Sequence, residues 1–204
     1  MICKRFITYA LWICILVAPG VQAAGTETVD NTYLGSGAGA NLVTGQADDG
    51  LSNTFIGVNA GNAVTTGDSN TFVGDQVGKL NTASDNTFIG ALAGTLNTIG
   101  ADNTFIGWSA GSGNTDGAGN TFIGRTAGYS NLLGDFNTFI GRSAGFYNLT
   151  GDNNVFLGYA AGAGETGSNK LYIENSFSIA PLIYGEFDNN IVGINGKLGV
   201  GTQS

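Results

Sequence analysis

Hydrophobic and polar positions along this chain recur with a period that fits neither an amphipathic helix nor a simple strand. A polar pair, two large apolar residues and a glycine open a unit at Asn31, and the unit opens again at Asn53, Asn70, Asn86, Asn103, Asn120, Asn137 and Asn154. The spacings are 22, 17, 16, 17, 17, 17 and 17 residues. Such a fixed period is the signature of stacked repeats and outranks any local reading of helices or strands. The consensus is N-T-F-I-G-x-x-A-G-x-x-N-x-x-G-x-x, with Gly57, Gly74, Gly90, Gly107, Gly124, Gly141 and Gly158 at position 5 and Ala-Gly at positions 8 and 9, as in Ala93-Gly94, Ala110-Gly111 and Ala127-Gly128.

Seventeen residues are too few for a helix pair or a propeller blade. The Gly, Asn and Asp that punctuate each unit break helices, whereas Thr-Phe-Ile favours a short strand. One repeat therefore predicts one coil of a parallel β-solenoid, an all-β fold of about eight coils of 16–22 residues. Two short strands per coil are expected, Thr-Phe-Ile and the segment leading to Ala-Gly, joined by tight turns whose left-handed residues are Gly and Asn. Equivalent residues then stack about 4.8 Å apart. The recurring Asn becomes a ladder of amides bonded from coil to coil; glycosylation or carbohydrate contact is the alternative role for it.

Adjacent strand residues point to opposite faces, so the column Phe55, Phe72, Phe88, Phe105, Phe122, Phe139 and Phe156 faces away from the column Ile56, Val73, Ile89, Ile106, Ile123, Ile140 and Leu157. A thin coil closed by Thr, Ile and Ala puts the Phe column outside. Seven rings at roughly 150 Å² each would then expose about 1,000 Å², more than a soluble monomer tolerates as one patch, and would form a subunit interface. With Phe inward, the Ile column becomes the external stripe and again calls for a partner.

These repeats resemble the head domains of trimeric autotransporter adhesins, whose N-S-V-A-I-G units are somewhat shorter. They also resemble the repeat regions of bacterial surface and phage tail-fibre-like proteins that carry a C-terminal intramolecular chaperone. Asn169-Lys170-Leu171-Tyr172-Ile173-Glu174-Asn175, Pro181-Leu182-Ile183-Tyr184-Gly185-Glu186-Phe187 and Val192-Gly193-Ile194-Asn195 look like the connector that follows such repeats. The resemblance implies a left-handed β-roll, a homotrimer and an adhesive or structural role at the surface of a bacterium. Neither a chaperone domain, a heptad run nor a second apolar span follows, so the chain reads as a short form of such proteins or a truncated gene product.

Residues 1–23 read as a secretory signal, with Lys4 and Arg5, an apolar run from Phe6 to Val17 and Val21-Gln22-Ala23 before the cleavage point. That run is shorter than the ~20 residues a membrane span needs. The organisation is thus a signal peptide (1–23), a linker (24–30), the solenoid (31–168) and a C-terminal β cap (169–204), secreted or held at the cell surface. Cys3 and Cys14 leave with the signal, so no disulfide staples the mature fold. Removing Lys4 and Arg5 leaves five basic residues against fifteen acidic, a net charge of −10 that disfavours nucleic acid and anionic membranes.

Glycine supplies 35 of 204 residues with only two prolines, which excludes collagen, and 42% hydrophobic content excludes a disordered chain. The absence of His removes Ser-His-Asp and Cys-His catalysis and His-ligated metals. No spacing selects a carboxylate pair for glycoside cleavage, so no enzyme activity and no cofactor are expected. Asp68, Asp85, Asp102, Asp135 and Asp152 recur between coils, a pattern compatible with calcium but ordinary for turns. The Thr column from Thr32 to Thr138 suggests ice binding, although one Thr per coil makes a narrow face. Trp108, Arg125, Tyr129, Arg142, Phe146 and Tyr147 fall at variable positions after the strands and are the candidate contacts for a glycan or protein ligand. A lectin-like module is the alternative to the adhesin. Intact mass of the exported protein is expected to place the N-terminus at Ala24 with no titratable thiol; a full-length chain with a reactive Cys14 would show that the signal is not removed.

Overall fold

The computed structural model describes residues 31–43 and 50–198; residues 1–30, read above as signal peptide and linker, lie outside them. All regular structure among these residues is β-strand. Strands β1 (Thr32–Leu34), β2 (Thr54–Ile56), β3 (Thr71–Val73), β4 (Thr87–Ile89), β5 (Thr104–Ile106), β6 (Thr121–Ile123), β7 (Thr138–Ile140), β8 (Val155–Leu157) and β9 (Lys170–Ile173) pair in order, each parallel to the last. β10 (Ile183–Glu186) and β11 (Ile191–Ile194) then extend the same sheet antiparallel, completing eleven strands. The chain is a β-solenoid, with seven complete turns between Asn53 and Asn169.

Register follows the repeat without a slip: Thr104 lies opposite Thr121, Phe105 opposite Phe122 and Ile106 opposite Ile123. The Phe column is the core. All seven Phe side chains are 0% exposed, packed with Ala93, Ala110, Ala127 and their equivalents. From Phe72 to Phe156 the rings lie 4.7–4.9 Å apart and within 8° of parallel, so the strand spacing itself sets the stacking distance. Tyr33 ends the column at one side and Tyr172 with Tyr184 at the other, where a hydroxyl suits a ring that meets solvent.

This arrangement corrects the subunit interface expected from the thin-coil alternative: Phe55, Phe72, Phe88, Phe105, Phe122, Phe139 and Phe156 are satisfied within one chain. The reason lies across the coil. At position 9 a glycine faces the ring, and a Cβ on Gly111 would stand 2.5 Å from the Phe105 ring. Gly at position 9 and a small residue at position 8 make room for one large side chain per layer, and Thr and Ile take the outer face instead. Position 5 is equally constrained by its neighbour above or below, because a Cβ on Gly107 would meet the Gly124 carbonyl at 2.5 Å.

The second strand expected before Ala-Gly is absent; that segment is turn. Position 7 and the last position of each coil have positive φ, as at Thr126 (55°), Leu92 (62°) and Phe136 (55°). Left-handed geometry on such residues costs about 1–2 kcal/mol each and is not confined to Gly and Asn as the sequence suggests. Backbone bonds between coils hold it: Thr126 N–H donates to Trp108 C=O at 2.9 Å, and Phe136 N–H to Ala118 C=O at 3.0 Å.

Asparagine closes the polar part of the interior, as the ladder reading expects. The Asn120 backbone N–H donates to Asn103 Oδ1 at 2.9 Å, while Asn103 Nδ2 donates to Gly117 C=O at 2.8 Å, and the pattern repeats along the stack. A second ladder at position 12 runs through Asn81, Asn97, Asn114 and Asn131, with amide-to-amide bonds of 2.6–2.7 Å. It stops at Asn148, whose amide turns instead to Glu165 C=O and Gly151 N–H, leaving Asn131 Oδ1 without a partner.

Since Phe122 fills a layer and Ile123 is half-buried on the outer face, Phe122→Ala is expected to lose about 3–5 kcal/mol and Ile123→Ala about 1 kcal/mol. Chemical denaturation of the two variants checks this, and similar losses would contradict the assigned faces. Ile123→Asp, which the thin-coil alternative would make a buried charge, places its carboxylate at the surface.

Candidate ligand surface

Each coil turns its variable residues outward at positions 6, 10, 11, 13 and 14, and chemistry that differs between coils is found there. Position 6 runs Val58, Asp75, Ala91, Trp108, Arg125, Arg142, Tyr159. In the stack, Arg125 Cζ lies 5.0 Å from the centre of the Trp108 ring and Arg142 Cζ 5.7 Å from that of Tyr159. The two guanidiniums occupy adjacent layers, and each leans onto the aromatic ring on its far side rather than toward the other. Like charge on neighbouring rungs is thereby spread apart, and cation–π contact of about 0.5–1 kcal/mol per pair at an exposed site fixes each side chain.

A second aromatic group sits at positions 10 and 11. Tyr129 and Phe146 stack with ring centres 5.0 Å apart, and Phe146 meets Tyr147 edge-on at 4.7 Å. The six residues expected from sequence thus form two clusters: Trp108, Arg125 and Arg142 in one, Tyr129, Phe146 and Tyr147 in the other. Sequence reading missed Tyr159. The signal was available, since Tyr159 stands five residues after Asn154 as Trp108 does after Asn103.

All aromatic residues of the described solenoid that lie outside the ring column fall between Trp108 and Tyr159. The earlier coils carry Asn62, Lys79, Thr95 and Ser112 where the later ones carry Tyr129 and Phe146. Frame residues do not change across this boundary, so the difference is not a folding requirement. Both arginines of the described chain belong to the decorated half, and the one ion pair among the described residues is Lys170–Glu186 at 3.1 Å.

The aspartates occupy two columns with different roles. Asp68, Asp135 and Asp152 accept the backbone N–H groups of Leu51, Ala118 and Asp135 in the preceding coil at 2.6–2.8 Å. In the two sixteen-residue coils Ser84 and Ser168 do the same work with a hydroxyl. Asp85 and Asp102 hold the left-handed last position (φ 61° and 59°). Turn chemistry thus accounts for all five, and no group of three or more metal-ligating side chains forms among the described residues.

Titratable groups gather where the solenoid meets its cap. Glu165 replaces Asn at position 12 and accepts the Tyr172 hydroxyl at 2.6 Å and the Gly167 N–H at 2.7 Å. Burial alone would raise its pKa, but these bonds, the Thr166 N–H and the Lys170 charge outweigh it and hold the carboxyl below its ordinary range. The Tyr172 hydroxyl is pushed up by burial and by Glu165. Glu186 accepts from Tyr184, Asn189 and Lys170, which brings it down to about 2. These groups pair among themselves and finish the aromatic column with satisfied hydroxyls. A shallow groove of about 280 Å³ beside β10 and β11 is lined chiefly by Leu171, Phe187, Ile191 and Val192, with Glu186 and Asn190 as its polar side chains.

Comparison with protein-family models, with curated proteins and with solved structures finds no match for this chain.

Proposed function

We propose that this protein is an exported adhesive or structural module without enzymatic activity, in which a rigid β-solenoid presents the Trp108–Tyr159 face to a glycan-bearing surface. The supporting observation is the ordered run Trp108, Arg125, Arg142, Tyr159 on four consecutive coils, with each guanidinium over a ring. Aromatic faces suit sugar rings, and guanidinium groups without a carboxylate partner suit anionic substituents. Rungs at the strand spacing of about 4.8 Å offer such contacts periodically, so a linear polymer engages several weak sites at once. The sequence of residues 1–23, read as a secretory signal, supports a location outside the cytoplasm.

A homotrimer would add avidity, and the outer stripe from Ile56 to Leu157 is the surface left for its contact. Ile89, Ile140 and Leu157 are 37–43% exposed. Seven such residues amount to roughly 500 Å² of apolar surface, within the ~300–600 Å² a monomer tolerates, so the stripe does not by itself demand a partner. Multivalency therefore rests first on the repeated rungs of a single chain.

Arg125→Gln combined with Arg142→Gln is expected to lower binding to immobilised acidic polysaccharide at least tenfold. Trp108→Ala should weaken both acidic and neutral glycans, and all three changes should leave the melting temperature within a few degrees because the side chains are exposed. Unaltered binding by the double variant, or no binding by the parent protein to any glycan of a broad panel, would remove this reading.

One observation favours a second role. Thr and Ile share the outer strand face, so Thr54 to Thr138 and Ile56 to Ile140 form two parallel ranks on β2–β7 rather than the single Thr rank expected. Two regular ranks make a flat, rigid lattice of hydroxyl and methyl groups of the kind that orders water. Ice binding predicts thermal hysteresis lost in Thr104→Lys with Thr121→Lys; a freezing point equal to the melting point in the parent protein would dismiss it.

A further inference from the structure

A parallel stack always ends in two strand edges, and a non-repeat cap is expected to blunt the last one. Here it relocates the edge instead. β9 continues the stack, β10 and β11 fold back on it, and among the described residues nothing pairs with the outer side of β11. Proteins protect such edges with charge, proline or a bulge. Ile191-Val192-Gly193-Ile194 has none of these: it is apolar, and its pairing with β10 is regular over all four residues.

The hairpin and the loop before it carry an unusual load of uncovered apolar surface. Ile179 is 94% exposed and Val192 70%, with Phe177, Leu182, Phe187 and Leu198 each about half exposed or more. Together with the rest of β11 this leaves roughly 800–1,000 Å² of exposed apolar surface, spread over the loop and both faces of the hairpin edge. A standard interface needs ~800 Å² per partner.

Gly193 gives independent evidence. Glycines of the coils are fixed by packing or by positive φ, whereas Gly193 has an ordinary strand conformation, and a Cβ placed on it would meet nothing closer than 4.0 Å. Its own chain gives no reason for it. Glycine inside a strand is unfavourable unless another backbone or side chain comes close.

We propose that β11 is the docking site for a second copy of this chain, joined strand to antiparallel strand about a twofold axis. The sequence of the edge favours a copy of itself. Pairing about the centre of β11 sets Ile191 against Ile194 and Val192 against Gly193 in both halves, so each valine finds the space the partner's glycine leaves. Within the chain Gly185 does this already, lying opposite Val192 on β10. An isologous contact of this kind closes after two copies. The two solenoids then extend from a shared, continuous sheet with their decorated faces fixed relative to each other.

The test is the mass of the exported protein by light scattering after size exclusion, over a range of concentrations. The parent chain is expected at twice the monomer mass. Val192→Lys places a charge at the junction, and Gly193→Val fills the space required by the partner while fitting the open site and strand conformation of the single chain. Both variants should run as monomers with unchanged circular dichroism, whereas Tyr147→Ser, on a distant coil, should remain dimeric. A monomeric parent protein overturns the proposal, as does a dimer that survives both substitutions. A trimer held by the Ile56–Leu157 stripe would also persist in both variants and would equally overturn it. Glycan binding by the Trp108–Tyr159 face is independent of this result.

Discussion

One aromatic ring per layer, stacked at the spacing of a parallel sheet, is the constraint on which the rest of this structure depends. The coil interior is one side chain deep, so Phe at position 3 requires almost nothing opposite it. Small residues at position 8, Ala in most coils and Val77 in one, and Gly at position 9 meet that requirement, and the glycine could not grow without moving a ring and with it the rings above and below. Register is fixed by the same interaction. A slip of one residue would bring Thr or Ile inward and expose all seven rings, a loss of about 1.5–3 kcal/mol for each.

A core this narrow leaves most of the coil perimeter without apolar support, and hydrogen bonds between layers take over there. The two Asn columns are fully buried, which is costly for a side-chain amide unless its bonds are made. Stacking supplies them: at position 1 the side-chain oxygen accepts the backbone N–H of the Asn one layer on, and at position 12 amide bonds amide between layers as far as Asn131. The same dependence explains the irregular places. Where Glu165 replaces Asn, the ladder at position 12 breaks at Asn148 and the carboxylate recruits Tyr172. The ladder thus ends before the aromatic column, which runs on through Phe156 to Tyr172 and Tyr184 in the antiparallel hairpin.

Much of this was legible in the sequence: the coil boundaries, the parallel register and the Asn ladder. The inward column was not, because period-two alternation in Thr-Phe-Ile separates Phe from its neighbours without saying which side is inside. Gly at position 9 carried the missing information, since a residue without a side chain opposite a strand implies a large one facing it. The second strand expected up to Ala-Gly does not form, although the segment makes inter-coil bonds such as Gly111 N–H to Ala127 C=O. Positive φ on both flanks makes that segment a turn. Nothing local announces left-handed Leu92 or Phe136; only the neighbouring coils make those conformations affordable.

Function separates from fold along the same geometric line. Positions 1, 3, 5, 8, 9 and 12 face the interior or the next layer, and they recur because the stack cannot form otherwise. What they contain is therefore silent about ligands, and a motif search weighted toward them finds architecture alone. The informative residues are those the stack leaves unconstrained: Trp108, Arg125, Arg142 and Tyr159 on one column, Tyr129, Phe146 and Tyr147 on its neighbours, and the apolar edge of β11. Exposed aromatic and apolar side chains at such positions are unfavourable in water and contribute nothing to closing a coil. Their confinement to particular layers is hence a part of the sequence that folding does not explain, and the proposed contacts with other molecules rest on it.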